Sequence, residues 1–254
     1  MSTQSTENST KLKFLMNNLP RGAVITAKEL FDIGISRELQ RRYVDSGWLN
    51  RVGTGAYRLL DNEINLDGAI RGLQNGLQLS IHVGGYTALA EKHGKAHTIL
   101  RNQKSELFGY RGEKVPQWFI FLFGADSIIK LTSFLPEELG LISIDSGDFT
   151  IKISSVERAM LELLYISPSI HTLKDAYQVM EFITVAKPNL VQTLLEACTS
   201  IKVKRLFLLM AEQAGHTWLK SLDLSKINLG SGVREVEKGG SLNNKYNLVI
   251  GDLS

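Results

Sequence analysis

Along the chain, apolar positions fall first into helical periods and then into strand-like ones. Leu12, Leu15, Met16 and Leu19 recur at the spacing of one helical face behind a cap at Ser9 or Thr10, and Pro20-Arg21-Gly22 ends that run. Thr26-Ala27-Lys28-Glu29 then has the form of a capping box, in which threonine and glutamate each satisfy a free backbone N–H of the other. It predicts a short second helix anchored by Leu30 and Phe31. Ile33-Gly34-Ile35 reads as a tight turn, and Ser36 caps a third helix, Arg37 to Asp45. Ile35, Leu39 and Tyr43 are four apart and face the core. Arg37, Gln40 and Arg41 are placed on the other side, with Arg42 on its flank. Two strand-like runs, 48–52 and 56–60, surround the turn Gly53-Thr54-Gly55 and predict a β-hairpin. Helix, short helix, turn, basic helix, hairpin is the order of a winged helix-turn-helix, assigned to residues 1–63.

Beyond a polar joint, the pattern becomes mixed. Leu66, Ile70, Leu73 and Leu77 predict a helix that Gly72 and Gly76 weaken. Residues 79–83 alternate as a strand, and Gly84-Gly85 leads into a helix from Tyr86 to about His93, ended by Gly94. Strands are expected at 98–100 and 106–108. Gln117 to Phe123 is apolar on both faces and is expected as a central strand. Residues 142–144 and 149–153 flank the turn Asp145-Ser146-Gly147-Asp148. A second capping box, Ser154 to Glu157, opens an amphipathic helix through Val156, Ala159, Met160, Leu163 and Leu164, ending near Pro168. Helices follow at about 173–184, 190–198 and 201–214, and a late strand, 246–250, is expected to return to the sheet. The reading is α+β. A winged helix precedes a larger mixed α/β domain, 64–254, strand-rich to about 153 and helix-rich from 154.

Composition narrows the class. With 43% hydrophobic and 22% charged residues, the chain is too apolar for disorder and too charged for a membrane protein. Its unbroken apolar run Trp118 to Phe123 has six residues, against about 20 for a bilayer span. The polar first ten residues lack the apolar region of a secretory signal. The lone Cys198 excludes an internal disulfide or a cysteine-based zinc site, and it reads as a small buried residue. The expected location is cytoplasmic.

Net charge is +3 overall, yet the first sixty residues hold nine Lys and Arg against five Asp and Glu. The whole positive excess therefore lies in the winged helix, which points to nucleic acid. Arginine and glutamine offer paired donors to base edges in a major groove, and a glycine-tight wing tip lets backbone approach phosphate. The candidate DNA-binding residues are Arg37, Gln40, Arg41 and Arg42 on the helix and Arg51, Thr54, Tyr57 and Arg58 on the wing. Gln40 and Arg41 are assigned to base edges, and Arg42, Arg51 and Arg58 to phosphate. Tyr57 is assigned to packing the wing on the body. A winged helix that binds protein is the alternative.

Catalytic patterns are sparse. His82, His93 and His97 fall in one stretch without the carboxylate or cysteine that would complete a zinc shell. Asp145, Asp148 and Lys152 loosely resemble a nuclease site but lack its close acid-x-Lys spacing, and the two aspartates suit a turn for local backbone reasons. There is no phosphate-binding G-x-x-x-x-G-K and no G-x-S-x-G elbow. No catalytic residue, cofactor or metal is assigned. A nuclease or nucleotidyltransferase with a DNA-targeting head stays as the enzyme alternative. Lys202, Lys204 and Arg205 read as a solvated helix face or as a second basic patch.

Four stretches carry a resemblance. They are Gly34-Ile35-Ser36-Arg37 before the basic helix, and the wing from Trp48 to Tyr57. The third is Ile81-His82-Val83-Gly84-Gly85-Tyr86-Thr87-Ala88-Leu89 with His93-Gly94, and the fourth is Ser154-Ser155-Val156-Glu157-Arg158-Ala159-Met160-Leu161-Glu162-Leu163-Leu164. In this order they resemble the AbiEi-type antitoxins of type IV toxin–antitoxin (abortive infection) systems, which are bacterial transcriptional regulators. The resemblance implies a repressor that binds inverted repeats in its own promoter. It also implies an antitoxin that counters a nucleotidyltransferase toxin without needing a stable complex. A monomer in solution, with two copies on the operator, fits that reading.

Overall fold

The computed structural model describes residues 13–17, 19–60, 63–94 and 104–253. Its contacts group these into two units. The first takes the described residues up to Ile81 together with Glu113–Ala125 and Ser143–Ile151, and the second takes the rest.

In the first unit, residues 13–17 are helical; the cap expected at Ser9 or Thr10 lies outside the described residues. Strand β1 (Ile25–Thr26) runs into α1 (Ala27–Asp32) through the predicted capping box. Thr26 Oγ1 accepts from Glu29 N at 3.2 Å, and Glu29 Oε2 accepts from Thr26 N at 2.8 Å. Helix α2 (Arg37–Asp45) starts at Ser36, whose Oγ accepts from Leu39 N. Strands β2 (Leu49–Gly53) and β3 (Ala56–Leu59) form the wing, and β1 closes a three-stranded sheet in the order β1-β3-β2. Leu15, Ile25, Leu30, Ile35, Leu39, Tyr43, Leu49 and Leu59 make the core beneath it. The order of elements and the core residues are those of a winged helix.

Contacts do not stop at residue 63, where the domain boundary was expected. Helix α3 (Leu66–Arg71) continues as one π-helical turn, Gly72–Gly76. Gly68, Gly72 and Gly76 are four apart and make one strip against the segment 22–26. A Cβ on Gly72 would stand 2.8 Å from Val24 Cβ; one on Gly68 would overlap the Gly22 carbonyl, and one on Gly76 the Thr26 side chain. Glycines that weaken a helix in isolation are what let this one approach. Arg71 pairs with Glu29 and donates to Val24 O, which ties α3 to the capping box.

The expected central strand Gln117–Phe123 is a helix, α5, the next after the short helix α4 (Gly85–Thr87). Proline at position 116 precedes it, and an apolar run without period fits either structure. Trp118 and Phe119 are buried, and a Cβ on Gly53 would stand 2.6 Å from Trp118 Cβ. Ile120 and Leu122 are exposed, and Phe121 is 86% exposed.

The larger sheet has the order β6-β5-β4-β8-β7, from β4 (His82–Val83), β5 (Ser105–Tyr110), β6 (Ser127–Thr132), β7 (Leu141–Ser146) and β8 (Phe149–Ser154). Strand β4 is antiparallel to β5 and parallel to β8, and β5 is parallel to β6. The strand expected at 98–100 lies outside the described residues. Helix α4 (Gly85–Thr87) passes into a π-helical turn, Ala88–Lys92. The helices α6 (Val156–Ile166), α7 (Leu173–Glu181), α8 (Pro188–Ala197) and α9 (Ile201–Gln213) follow the apolar periods. The cap of α6 is Ser155, one residue later than expected, because the Ser154 hydroxyl turns to Glu162 instead.

The late strand does not return to the five-stranded sheet. β11 (Leu248–Ile250) joins β9 (Arg234–Glu235) and β10 (Ser241–Asn243) in a separate sheet. Arg205 anchors this region, donating to the carbonyls of Leu229, Gly230, Gly232 and Asn247. Lys204 and Arg205 are 3% and 1% exposed, so they form neither a solvated face nor a basic patch. Cys198 is buried, as expected of a small apolar residue, and burial pushes its thiol pKa up.

Candidate nucleic-acid interface

Helix α2 buries Leu39, Gln40 and Tyr43 and leaves the opposite side in water. Arg37 and Arg41, four apart, form one exposed stripe. Glu38 and Arg42 form the next, joined by an exposed ion pair of 2.8 Å. The assignment of Gln40 to this surface is corrected. It is 2% exposed, and its Nε2 donates to Ala27 O at 3.1 Å and Ile35 O at 3.0 Å. A buried amide must find such partners, and here they tie the two helices of the motif together. The signal was in the spacing: position 40 lies beside Leu39 and three residues before Tyr43, on the apolar side of the helix.

On the wing, Thr54 is exposed at the tip and Gly55 takes a φ of +69°, which favours glycine. A register irregularity between Arg51 and Gly53 bends β2, and Arg51 Nε donates to Gly53 O. Arg51 stands opposite Tyr57, and Arg58 stands opposite Asn50. Side chains alternate along a strand, so the register sets Arg51 and Arg58 on opposite faces of the hairpin. Tyr57 is half-buried against the core cluster.

In the second unit, the His82–Gly94 stretch and the Ser154–Leu164 helix meet on one buried carboxylate. Glu162 accepts from Gly85 N at 3.1 Å, Ser154 Oγ at 2.6 Å and Arg158 Nε at 2.8 Å, and it pairs with His82 Nε2 at 3.0 Å. Burial raises the Glu162 pKa, but the charge and hydrogen bond of His82, with Arg158 and Ser154, overcome it and hold the group at about 2. Arg158 also donates to the carbonyls of Pro136, Glu137 and Leu139. His93 Nε2 bonds Ser154 O at 2.8 Å.

A second buried carboxylate, Glu106, accepts from Tyr86 N and pairs with His171, while its own N–H donates to Thr87 Oγ1. Gly84 and Gly85 sit between the two acids. A Cβ on Gly84 would overlap the Glu162 carboxylate, and one on Gly85 that of Glu106. The two acids hold the fold of this unit. Glu162 lies within a matched stretch, whereas Glu106 and His171 gave no local signal, because they meet only across 65 residues.

Among the described residues there is no group of three metal-ligating side chains. His97 lies outside them. Asp145 and Asp148 are exposed beside the β7–β8 turn.

Fold and site together define a two-unit α+β protein headed by a winged helix with an arginine-lined helix. The family model described as "Transcriptional regulator, AbiEi antitoxin N-terminal domain" matches residues 8–100. The model described as "Transcriptional regulator, AbiEi antitoxin, Type IV TA system" matches residues 102–251. The chain belongs to this family of AbiEi antitoxin transcriptional regulators. Among solved structures, the crystal structure of the RV2827C protein from Mycobacterium tuberculosis shares the fold. It has 12% sequence identity and a TM-score of 0.61, over 96% of this chain and 90% of that one. No curated protein sequence matches the chain significantly. No helix among the described residues is long and apolar enough to cross a membrane.

Proposed function

We propose that this regulator binds duplex DNA through its winged helix, represses its own operon at inverted repeats in the promoter, and counters a nucleotidyltransferase toxin without a stable complex. It acts in the cytoplasm, without catalysis and without a cofactor, and two monomers occupy one operator. The observation that carries the reading is the exposed Arg37–Arg41 stripe, which has no carboxylate partner among the described residues. Arginine pairs along one exposed stripe of the second helix of such a motif are suited to base edges and phosphate in a major groove. Arg41 is assigned to base edges. Arg37, Arg42 and Arg51 are assigned to phosphate, with Thr54 and the wing-tip backbone beside them. Arg42 must leave Glu38 to do so, an exchange of about 0.3–0.5 kcal/mol for an exposed helical pair. Arg58, on the other face of the hairpin, contributes separately.

Fluorescence anisotropy on the duplex upstream of the gene, beside a scrambled duplex and across a salt series, tests the proposal. Tight binding to the upstream duplex alone, weakening as salt rises, is the expected result. Equal weak binding to both would overturn it and leave the nuclease or nucleotidyltransferase reading and the winged helix that binds protein.

A further inference from the structure

Strand β6 is one edge of the five-stranded sheet, with β5 as its neighbour. The two run parallel in unbroken register, from Ser105 opposite Ser127 to Tyr110 opposite Thr132. Ser105 N donates to Asp126 O at 2.8 Å, which fixes the phase of the ladder. In such a ladder alternate residues of a strand bond the same neighbour, so Ile128 and Lys130 turn their backbone groups to β5. Ser127, Ile129 and Leu131 turn theirs outward. Among the described residues, none of those outward N–H and C=O groups has a partner.

Natural sheets guard such an edge with proline, a bulge or several charges. β6 has no proline and no register shift, and its one charged residue is Lys130. Ile128, Ile129 and Leu131 are half-buried. At the start of the strand, the Ser127 hydroxyl is buried without a partner among the described residues. An open, apolar, unbroken edge is a template for one more strand.

We propose that this edge pairs antiparallel with β6 of a second copy of the chain. Residues whose backbone groups point outward must face one another. The register that engages all three is centred on Ile129, which faces its own counterpart, while Ser127 faces Leu131 of the second copy. About six hydrogen bonds then form. The same register sets Lys130 opposite Ile128 rather than opposite another Lys130, so no like charges meet directly. Two copies on inverted repeats are related by a two-fold axis, which is the symmetry of this strand pair. That choice of occupant rests on the operator reading, whereas the register does not. A six-residue edge falls short of the roughly 1,200 Å² of a stable interface, so the pairing is weak in the free protein. A duplex that holds two copies raises their effective concentration to about the millimolar range, where the edges pair.

Disulfide trapping of the full chain tests the pairing. Cys198 is buried, so an introduced thiol reacts without competition from it. Across a hydrogen-bonded antiparallel pair the Cα atoms lie about 5.5 Å apart, within disulfide reach. Ile129→Cys should therefore trap a dimer at least about tenfold faster than Lys130→Cys, whose position faces Ile128 instead. Adding Leu131→Pro to Ile129→Cys removes no bond to β5 but blocks the incoming strand, and it should bring trapping down to the Lys130→Cys rate. Thermal melts check that each variant is folded. A duplex carrying both repeats should speed the Ile129→Cys trap further, and a scrambled duplex should not. Equal trapping by Ile129→Cys and Lys130→Cys, with and without duplex, would overturn the pairing, and so would trapping that Leu131→Pro leaves untouched. If the upstream duplex fails to bind while Ile129→Cys is still preferred in the free protein, the operator reading falls and the strand pairing stands.

Discussion

Arg41 projects from α2 into water, while the amide of Gln40 beside it is held by the carbonyls of Ala27 and Ile35. Their substitutions should therefore separate. Arg41→Ala should relax sequence preference and weaken operator binding by about 1–3 kcal/mol, with the melting temperature unchanged. Gln40→Ala leaves the carbonyls of Ala27 and Ile35 short of a donor and should cost about 1–3 kcal/mol of stability, read as a lower melting temperature. If Gln40→Ala instead changed base preference in an equally stable protein, the buried placement would be wrong. The same scale governs the response to acid. Glu162 is held at about 2 in the folded chain against an ordinary 4.5. A depressed carboxylate contributes stability that is fully present above its unfolded value and is lost as pH falls through the folded one. Denaturant midpoints should thus decline between about pH 4.5 and pH 2, and Glu162→Gln should flatten that decline.

At the scale of the element, helix α3 reverses a propensity rule. Alanine in place of a helical glycine ordinarily gains about 1 kcal/mol. At Gly68 the added Cβ would overlap the Gly22 carbonyl, so Gly68→Ala should instead destabilise by about 1–3 kcal/mol, as overpacking does. Thermal melts of the variant give the sign directly. The wing offers a second case. Because the register separates Arg51 from Arg58, one approach of a duplex engages one face. Arg51→Ala should reduce the log–log salt slope by about one ion on every sequence, and Arg58→Ala should leave it closer to wild type. Equal losses from both would mean that the duplex meets the hairpin edge-on.

For the molecule as a whole, the first unit extends past the winged helix. A fragment ending at residue 63 lacks the Arg71 partner of Glu29 and the glycine strip that packs on 22–26. It should melt lower and bind the upstream duplex more weakly than a fragment ending at residue 81. In the second unit, the two stretches that carry the family resemblance, centred near residues 85 and 160, share Glu162 as a common partner. The resemblance thus traces a structural knot. Removing that carboxylate altogether would leave Arg158 and His82 buried without their acid, which is among the most costly changes a core can take.

The local chemistry of the chain determined most of the first unit. Capping at Thr26 and Ser36, the apolar stripe of α2 and the glycine turn of the wing each act over a few residues, and such signals survive in sequence. Apolar periods likewise located α6 to α9. What tertiary structure decided is whatever depends on a distant partner. Gln117–Phe123 became a helix with Phe121 in water, although its unbroken apolar run fits a buried strand equally well. Gln40 and Arg205 went inside because carbonyls were waiting there, Lys204 is buried with them, and composition alone reads all three as surface residues. Gly68, Gly72 and Gly76 weaken a helix until the 22–26 segment lies against them. The buried pairs Glu106–His171 and Glu162–His82 join residues 65 and 80 apart, and no periodicity in one sequence encodes a meeting of that kind.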